Sequence, residues 1–323
     1  CVRPADFDQD GDVDLFVGIR HRPFLYGVPT NGYILVNDGK GNFTHKTNSL
    51  APALKEIGLV TDATWADVDG DKDLDLLVVG EWMPLTLFIN ENNTFTPQII
   101  QEGASNGWWN CIKAADLDQD GDTDFVIGNH GINSRFQPSP DKPVEMYVND
   151  FDGNGGAEQI VTAYNGEQSY PLVLRHNLIE QIPSLKKQFV AYKDYAPLTI
   201  NDIFPEEILS KSVKKELHTL ETVVLINNNG TFEIKPLPIQ AQFSTTYGLW
   251  LEDFNKDGQL DILIGGNFDN AKPEVGRYDA SYGLLLTGDG KMNFTPLSSK
   301  ESGIKIKGQI RDFATVRIND GNL

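Results

Sequence analysis

Side-chain oxygens recur at fixed spacing in five short stretches: ADFDQDGDVD (5–14), ADVDGDKDLD (66–75), ADLDQDGDTD (115–124), NDFDGNGGAE (149–158) and EDFNKDGQLD (252–261). Counted from the first acid of each, oxygen-bearing residues stand at positions 1, 3, 5 and 9, and glycine stands at position 6 in every copy except the second. Calcium requires six to eight hard oxygen ligands at about 2.3–2.6 Å, some of them backbone carbonyls. Acids spaced two apart on a tight turn meet that requirement, and glycine at position 6 allows the turn. The candidate ligands are Asp6, Asp8, Asp10 and Asp14; Asp67, Asp69, Asp71 and Asp75; Asp116, Asp118, Asp120 and Asp124; Asp150, Asp152, Asn154 and Glu158; and Asp253, Asn255, Asp257 and Asp261. Position 7 would contribute its carbonyl from Asp12, Asp73, Asp122 and Gln259. An EF-hand opens in the same way but places a bidentate Glu at position 12 between two helices. Here the acid comes at position 9, and DLFVG, DLLVVG, DFVIG or DILIG follows, an apolar run suited to a strand.

A lone D-x-D-x-D-G has a second explanation as a solvated turn, because Asp and Gly favour turns for backbone reasons alone. Five copies in register do not. The copies differ in quality. Lys72 at position 6 of the second copy would cost about 1–2 kcal/mol in a left-handed conformation, and Asn154, Glu158 and Asn255 remove or displace charge, so the first and third copies rank as the tightest sites. The formal charge is −19, and 21 of the 46 acids lie within positions 1–9 of these loops. Up to five bound calcium ions would bring that charge to about −9, relieving self-repulsion. No basic run exists to neutralise phosphates, which argues against a nucleic-acid partner.

A second element recurs beside the loops. GYILVNDGKGNFT (32–44), LTLFINENNTFT (85–96), TVVLINNNGTF (222–232) and GLLLTGDGKMNFT (283–295) each read as strand, Asn/Gly turn, strand. The sequons at Asn42, Asn92, Asn229 and Asn293 fall in these turns and read as turn chemistry. Strand, acidic loop, strand and hairpin, repeated about every 50–60 residues, make a four-stranded propeller blade. The expected fold is all-β, a propeller of about five blades plus a partial one, forming a single domain over 1–323. A helical insertion is expected at about 176–218, where the apolar spacing turns helical and Pro205 suits a helix start. The chain opens inside a repeat and ends in another apparent strand, IRDFATVRINDGNL, so it reads as a piece of something longer. No apolar run reaches the roughly 20 residues of a membrane helix, so no direct membrane insertion is expected of this segment. Cys1 and Cys111 occupy equivalent positions in non-neighbouring repeats and are expected as buried free thiols.

The unit DFDQDGDVDLFVG resembles the FG-GAP or VCBS repeat of calcium-binding β-propellers such as those of integrin α subunits. Longer runs, VTDATWADVDGDKDLDLLVVGEWMP and NGWWNCIKAADLDQDGD among them, are similar to large VCBS-repeat surface lipoproteins of Bacteroidota, some of which carry an ASPIC/UnbV domain. The resemblance implies a calcium propeller, commonly seven-bladed, at the outer-membrane surface or outside the cell.

In a propeller the loops opposite the acidic turns form one face. Here they are GIRHRPFLYGVPTNGY, GEWMP, EGASNGWWN, GNHGINSRFQPSPDKP and GNFDNAKPEVGRYDASYG. They concentrate His21, Arg22, Tyr26, Trp82, Trp108, His130, Arg135, Arg277 and Tyr278, with Phe24, Phe136, Trp109 and Tyr282 alongside. Aromatics and arginines on rigidly held loops characterise a recognition surface, although aromatics also fill the space between blades; Trp109 and Tyr282, which precede strands, are expected to be structural. The leading expectation is a non-enzymatic module that binds a glycan or protein at the cell surface. The alternatives are a polysaccharide lyase or hydrolase drawing on His21, His130, Arg135, Arg277 and Asp279, and a structural subunit of an outer-membrane assembly. GASNG (103–107) matches G-x-S-x-G but precedes a strand instead of a helix, so Ser105 receives no catalytic role.

Overall fold

Each acidic loop hands the chain to a strand; those at Asp75–Met83, Asp124–Gly128 and Asp261–Gly266 are buried along nearly their whole length, and these strands organise the molecule. The computed structural model describes residues 1–272, 275–318 and 321–322. Four antiparallel four-stranded meanders follow one another. Blade I comprises Val2–Ala5, Asp14–Gly18, Gly32–Asn37 and Phe43–His45. Blade II comprises Leu59–Ala66, Asp75–Met83, Thr86–Glu91 and Thr94–Ile99, with Gly107–Trp108 added to the far end of its second strand. Blade III takes Cys111–Ala115, Asp124–Gly128, Val223–Asn228 and Thr231–Pro236. Blade IV takes Thr246–Glu252, Asp261–Gly266, Leu284–Gly288 and Phe294–Pro296.

Side chains alternate across a strand, so one strand can serve two interfaces. Leu76 and Val78 pack with Phe16 and Ile34 of blade I, whereas Leu77 and Val79 pack with Ile112, Phe125 and Ile127 of blade III. Val126 and Val224 carry the core on to Leu249, Ile262 and Ile264 of blade IV. Each such side chain, fully buried, contributes about 1.5–3 kcal/mol. A backbone hydrogen bond repeats at every junction. The carbonyl five residues past the position-9 acid accepts from the next blade: Val60 N to Ile19 O, Trp109 N to Gly80 O, Thr246 N to Asn129 O, and Ile310 N to Gly266 O. Asp62 adds a side-chain tie, accepting from the Arg3 guanidinium of blade I and from the Ile112 amide of blade III.

The fourth acidic copy corrects the expected blade count. It does not begin a blade. Residues 129–222 leave blade III between its second and third strands and form a sheet of their own, ordered Gln168–Pro171, Glu158–Asn165, Val144–Asn149, Val213–Leu217. The helical segments from Arg175–Gln181 to Glu206–Leu209 cover this sheet, packing Leu178, Ile182, Phe189, Ile203 and Phe204 around Phe151 and Ile160. The expected helical insertion is thus the cap of a larger one. Its last residues, VKKEL, form a strand because Val213–Leu217 completes the edge beside Val144–Asn149.

The expected C-terminal strand is present in altered form. Residues 303–316 contain no strand, and Arg317–Ile318 pairs with Gly321–Asn322; residues 319, 320 and 323 lie outside the described residues. Nevertheless Ile310 and Phe313 press on Gly265 and Gly248 of blade IV as Val60 presses on Gly18 of blade I. The stretch GQIRDFA therefore occupies the place of a blade-opening strand. Cys1 and Cys111 are free thiols, Cys111 buried and Cys1 half-buried.

Phe125 sits fully buried between blades II and III. Phe125→Ala is expected to cost about 3–5 kcal/mol in urea unfolding; a loss below about 1 kcal/mol would mean that this interface is not close-packed.

Candidate functional site

The five acidic loops share one hydrogen-bond scheme. The amide at position 6 donates to the position-1 carboxylate: Gly11 to Asp6 (3.1 Å), Lys72 to Asp67 (3.0 Å), Gly121 to Asp116 (3.2 Å), Gly155 to Asp150 (2.8 Å) and Gly258 to Asp253 (2.9 Å). The amide at position 7 donates to the side chain at position 5, as Asp12 does to Asp10 at 3.1 Å and Asp122 to Asp120 at 2.9 Å. Position 6 is left-handed in every copy, Lys72 included, at φ 80°. The second copy compensates at position 4, which is also left-handed: there Gly70 stands where the first and third copies place Gln9 and Gln119. An apolar residue at position 2 anchors each turn of blades I to III from beneath, Phe7, Val68 and Leu117 all being buried.

These turns gather carboxylates around one point. Asp6, Asp8 and Asp10 each bring an oxygen within 4.8 Å of the others; so do Asp67, Asp69 and Asp71, then Asp116, Asp118 and Asp124, then Asp150, Asp152 and Glu158. Asp12 Oδ1, Asp14 Oδ2, Asp116 Oδ1 and Asp118 Oδ1 are buried with no hydrogen-bond partner. Converging carboxylates with unsatisfied buried oxygens fit a hard divalent cation. Asp253, Asn255 and Asp257 keep the same backbone scheme in the fifth copy.

The position-9 acid has a second task. Asp14, Asp75, Asp124 and Asp261 are almost wholly buried. One oxygen of each accepts from the third strand of its blade, through the amides of Asn37 (2.8 Å), Asn90 (2.7 Å), Asn227 (2.9 Å) and Gly288 (3.0 Å). The other oxygen of Asp75, Asp124 and Asp261 accepts from position 2 of its own loop at 3.0 Å. Burial nevertheless pushes Asp14, Asp75 and Asp124 up to about 6. Asp8 and Asp118 are also raised, first by burial and then by the neighbouring charges of Asp10 and Asp120.

Neighbouring loops are coupled by amide side chains. Gln9 Nε2 donates to the Lys72 carbonyl (2.9 Å) and to Asp73 (3.1 Å), and Gln119 Nε2 donates to the Gly258 carbonyl (2.6 Å). Asn227 Nδ2 reaches back one blade to the Val68 carbonyl at 2.9 Å, and Asn90 Nδ2 to the Phe7 carbonyl at 3.4 Å. In sequence these asparagines read only as turn residues; their recurrence near the end of the third strand in blades I to III was the available signal.

Comparison with protein families matches residues 6–78 and 67–127 to the FG-GAP-like repeat. Residues 6–127 carry FG-GAP-like repeats. No curated protein matches the chain. The two matched spans share the second acidic loop, so the FG-GAP repeat runs from one loop into the next, in step with blades I to III.

The opposite face of the blades is where the inserted sheet sits. Trp82, at φ 57°, is only 2% exposed and packs with Val144, Met146 and Leu217 of the insertion. Its Nε1 donates to Tyr26 Oη (3.0 Å), and Tyr26 Oη donates to Glu81 (2.9 Å). Arg20 holds the other oxygen of Glu81 through Nε at 3.1 Å. Burial and the Glu81 carboxylate push the Tyr26 hydroxyl well above its ordinary range. Trp108 stacks on His130 with centroids 5.0 Å apart, and His130 meets the edge of Tyr278 at 4.7 Å. Phe136 closes the cluster beneath the Arg135 guanidinium. His130 is 6% exposed, its Nε2 has no partner, and burial lowers it to about 4, so it is neutral.

Six of the nine residues expected on this face therefore converge: Tyr26, Trp82, Trp108, His130, Arg135 and Tyr278. Trp82 and His130 are too deeply buried to touch a ligand bound at the ring cluster and act there as supports. His21, Arg22 and Arg277 are exposed and stand apart from the ring cluster, as does Phe24 at 99% exposure. Trp109 is fully buried, as its place before a strand suggests, but Tyr282 is 44% exposed. Ser105 is buried in the turn before Gly107–Trp108. Arg20 and Glu81 went unnoticed in the sequence, although the repeat register marks them: Arg20, Glu81, His130 and Asn267 each lie six residues past the position-9 acid.

A carboxylate raised by folding favours the protonated folded state, so its contribution is lost as pH rises through the folded value. In cation-free buffer the melting temperature is expected to rise as pH is lowered from about 7 toward 5, through the value of about 6 shared by Asp14, Asp75 and Asp124. A melt that falls over that interval would contradict the burial assigned to these groups.

Proposed function

We propose that the chain is a calcium-stabilised, non-enzymatic binding module acting at the cell surface or outside the cell, and that it recognises a glycan or protein through the loops opposite the acidic turns. The observation that carries this reading is the pre-organised ring cluster on that face. Trp108, Phe136 and Tyr278 pack around His130 and are held by blade II, the insertion and blade IV together. The Tyr278 loop is fixed by reciprocal backbone hydrogen bonds with Phe268, at 2.8 and 3.0 Å. Rings presented by a rigid scaffold lose little entropy on binding, and Arg135 beside them suits an acidic group. A binding role is preferred to catalysis because His130 is ring-packed and, among the described residues, no carboxylate bonds it as the orienting partner of a base. Among the described residues no helix is long and apolar enough to cross a membrane.

Calcium would be held by the position 1, 3 and 5 side chains with the position-7 carbonyl and the position-9 acid. It supplies positive charge that neutralises the carboxylates, and the loops supply a backbone already folded to receive it. Sites of extracellular strength, about 10⁻⁴–10⁻³ M, contribute about 2.7 kcal/mol each at a hundredfold excess over Kd. Excess EDTA is therefore expected to lower the melting temperature substantially at neutral pH, and a melt that does not shift would sink the calcium reading. Asp10→Ala or Asp120→Ala should destabilise the calcium-loaded protein more than Asn154→Ala.

Recognition is tested by measuring binding to a panel of polysaccharides in calcium, with Tyr278→Ala and Trp108→Ala alongside. The expected result is saturable binding that both variants weaken. Binding unchanged in both would remove this face from the reading, and no binding across the panel would shift it from a glycan to a protein ligand, sought by co-purification.

A further inference from the structure

The junction between the inserted sheet and blade II holds a pocket of 270 Å³ that the ring cluster does not use. One wall is apolar, formed by Ile57, Met83 and Pro84 with the edge of Trp82; the other is the insertion strand Val213–Leu217, and Asn106 stands between them. Alternation along that strand sends consecutive lysines to opposite sides. Lys214 lies 2.6 Å from Glu145 and 2.8 Å from Glu216, so its charge is balanced. Lys215 shares its side of the strand with Val213 and Leu217, which pack in the cluster containing Trp82. It is half-buried and, among the described residues, makes no ion pair or hydrogen bond. Burial alone holds its ammonium below the ordinary lysine range.

A partly buried ammonium that opens onto a pocket without a counter-charge is a ready partner for an anion. Glu216, the one carboxylate lining the pocket, is already engaged by Lys214 and approached by His218 Nε2 at 3.4 Å. The geometry points to a binding site for a small carboxylate, with Lys215 as counter-ion, Asn106 as a hydrogen-bonding partner and Ile57, Met83 and Pro84 as the apolar floor. One uncompensated ammonium matches one negative charge; a phosphate group, at about −1.5 to −2, would leave charge unpaired. The volume falls below the roughly 300–1,000 Å³ of pockets for drug-sized ligands, which limits the occupant to a single unit such as one acidic sugar or one acidic side chain. The site stands independently of the loop-face reading.

The test is a titration of the ¹³C-dimethyl-lysine protein, followed by NMR at the Lys215 resonance, which Lys215→Gln identifies by its disappearance. Sodium glucuronate and the amide of acetylaspartate are the carboxylate probes, and glucose and sodium sulfate are the controls. The expected result is a saturable shift with at least one carboxylate and none with glucose. Calorimetry on unlabelled protein should show that Lys215→Gln weakens that carboxylate about tenfold or more, with an unfolding midpoint equal to or above that of the parent. A response to glucuronate alone would identify an acidic sugar, and a response to acetylaspartate amide alone an acidic peptide. A resonance that moves with neither overturns the proposal. So does affinity unchanged in Lys215→Gln, and sulfate binding as tightly as the carboxylates would overturn the carboxylate assignment.

Discussion

The buried carboxylate at position 9 is the constraint on which each blade depends. Asp14, Asp75, Asp124 and Asp261 lie beneath their loops, and each spends one oxygen on the amide that ends the third strand. That bond joins the start of the second strand to the end of the neighbouring third strand and so ties the acidic turn to the hairpin. In blades II and III the asparagine whose amide is held then donates its side chain to the preceding loop. A local carboxylate contact thereby becomes an inter-blade contact. Because the loop backbone is already satisfied by its own side chains, a cation would relieve charge more than it would build shape. The buried oxygens left over, such as Asp14 Oδ2 and Asp118 Oδ1, are where that relief would be felt.

The parts of this architecture that were legible in the sequence are those dictated by local chemistry. Oxygen at positions 1, 3, 5 and 9, a left-handed position 6 and an apolar run afterwards describe a turn entering a strand, and every copy folds that way. What the pattern does not carry is the identity of the strand's neighbours. The loop at 150–158 has the same local scheme as the others, yet its strands pair with Gln168–Pro171 and Val213–Leu217 in a separate sheet. Blade III closes only when Phe125 meets Leu225, a hundred residues on. VKKEL was misread for a related reason. Its charges suit a helix surface, but Lys214 and Glu216 form one face of an edge strand while Val213 and Leu217 form the other, and only the partner strand Val144–Asn149 makes that alternation meaningful.

The two faces of the blades obey different rules. On the acidic face, spacing is fixed because each loop must meet its own hairpin and the loop beside it. On the other face the same register tolerates unrelated chemistry: six residues past the buried acid stand Arg20, Glu81, His130 and Asn267. Arg20 and Glu81 pair across two blades, His130 is enclosed by rings, and Asn267 Nδ2 donates to the carbonyls of Ser281 and Gly308. A repeat whose backbone is secured at one end can diversify at the other without loss of fold. The insertion exploits that freedom, since it departs from blade III at its diversified end.

Burying a charge at this junction is acceptable only where the charge is answered, and the two charges beside Trp82 differ in that respect. Glu81 is 2% exposed, and Arg20 and Tyr26 occupy both of its oxygens, so it ties the loop of blade I to blade II at little net cost. Lys215 lines the pocket beside the same indole from the insertion side and has no such answer among the described residues. If the junction served only to hold two sheets together, an apolar residue at 215 would do so better, as Val213 and Leu217 do on the same strand face. An ammonium retained there is explained by something that arrives from outside, which makes the seam between insertion and blade a more informative place to look for a ligand than the exposed rim of the loops.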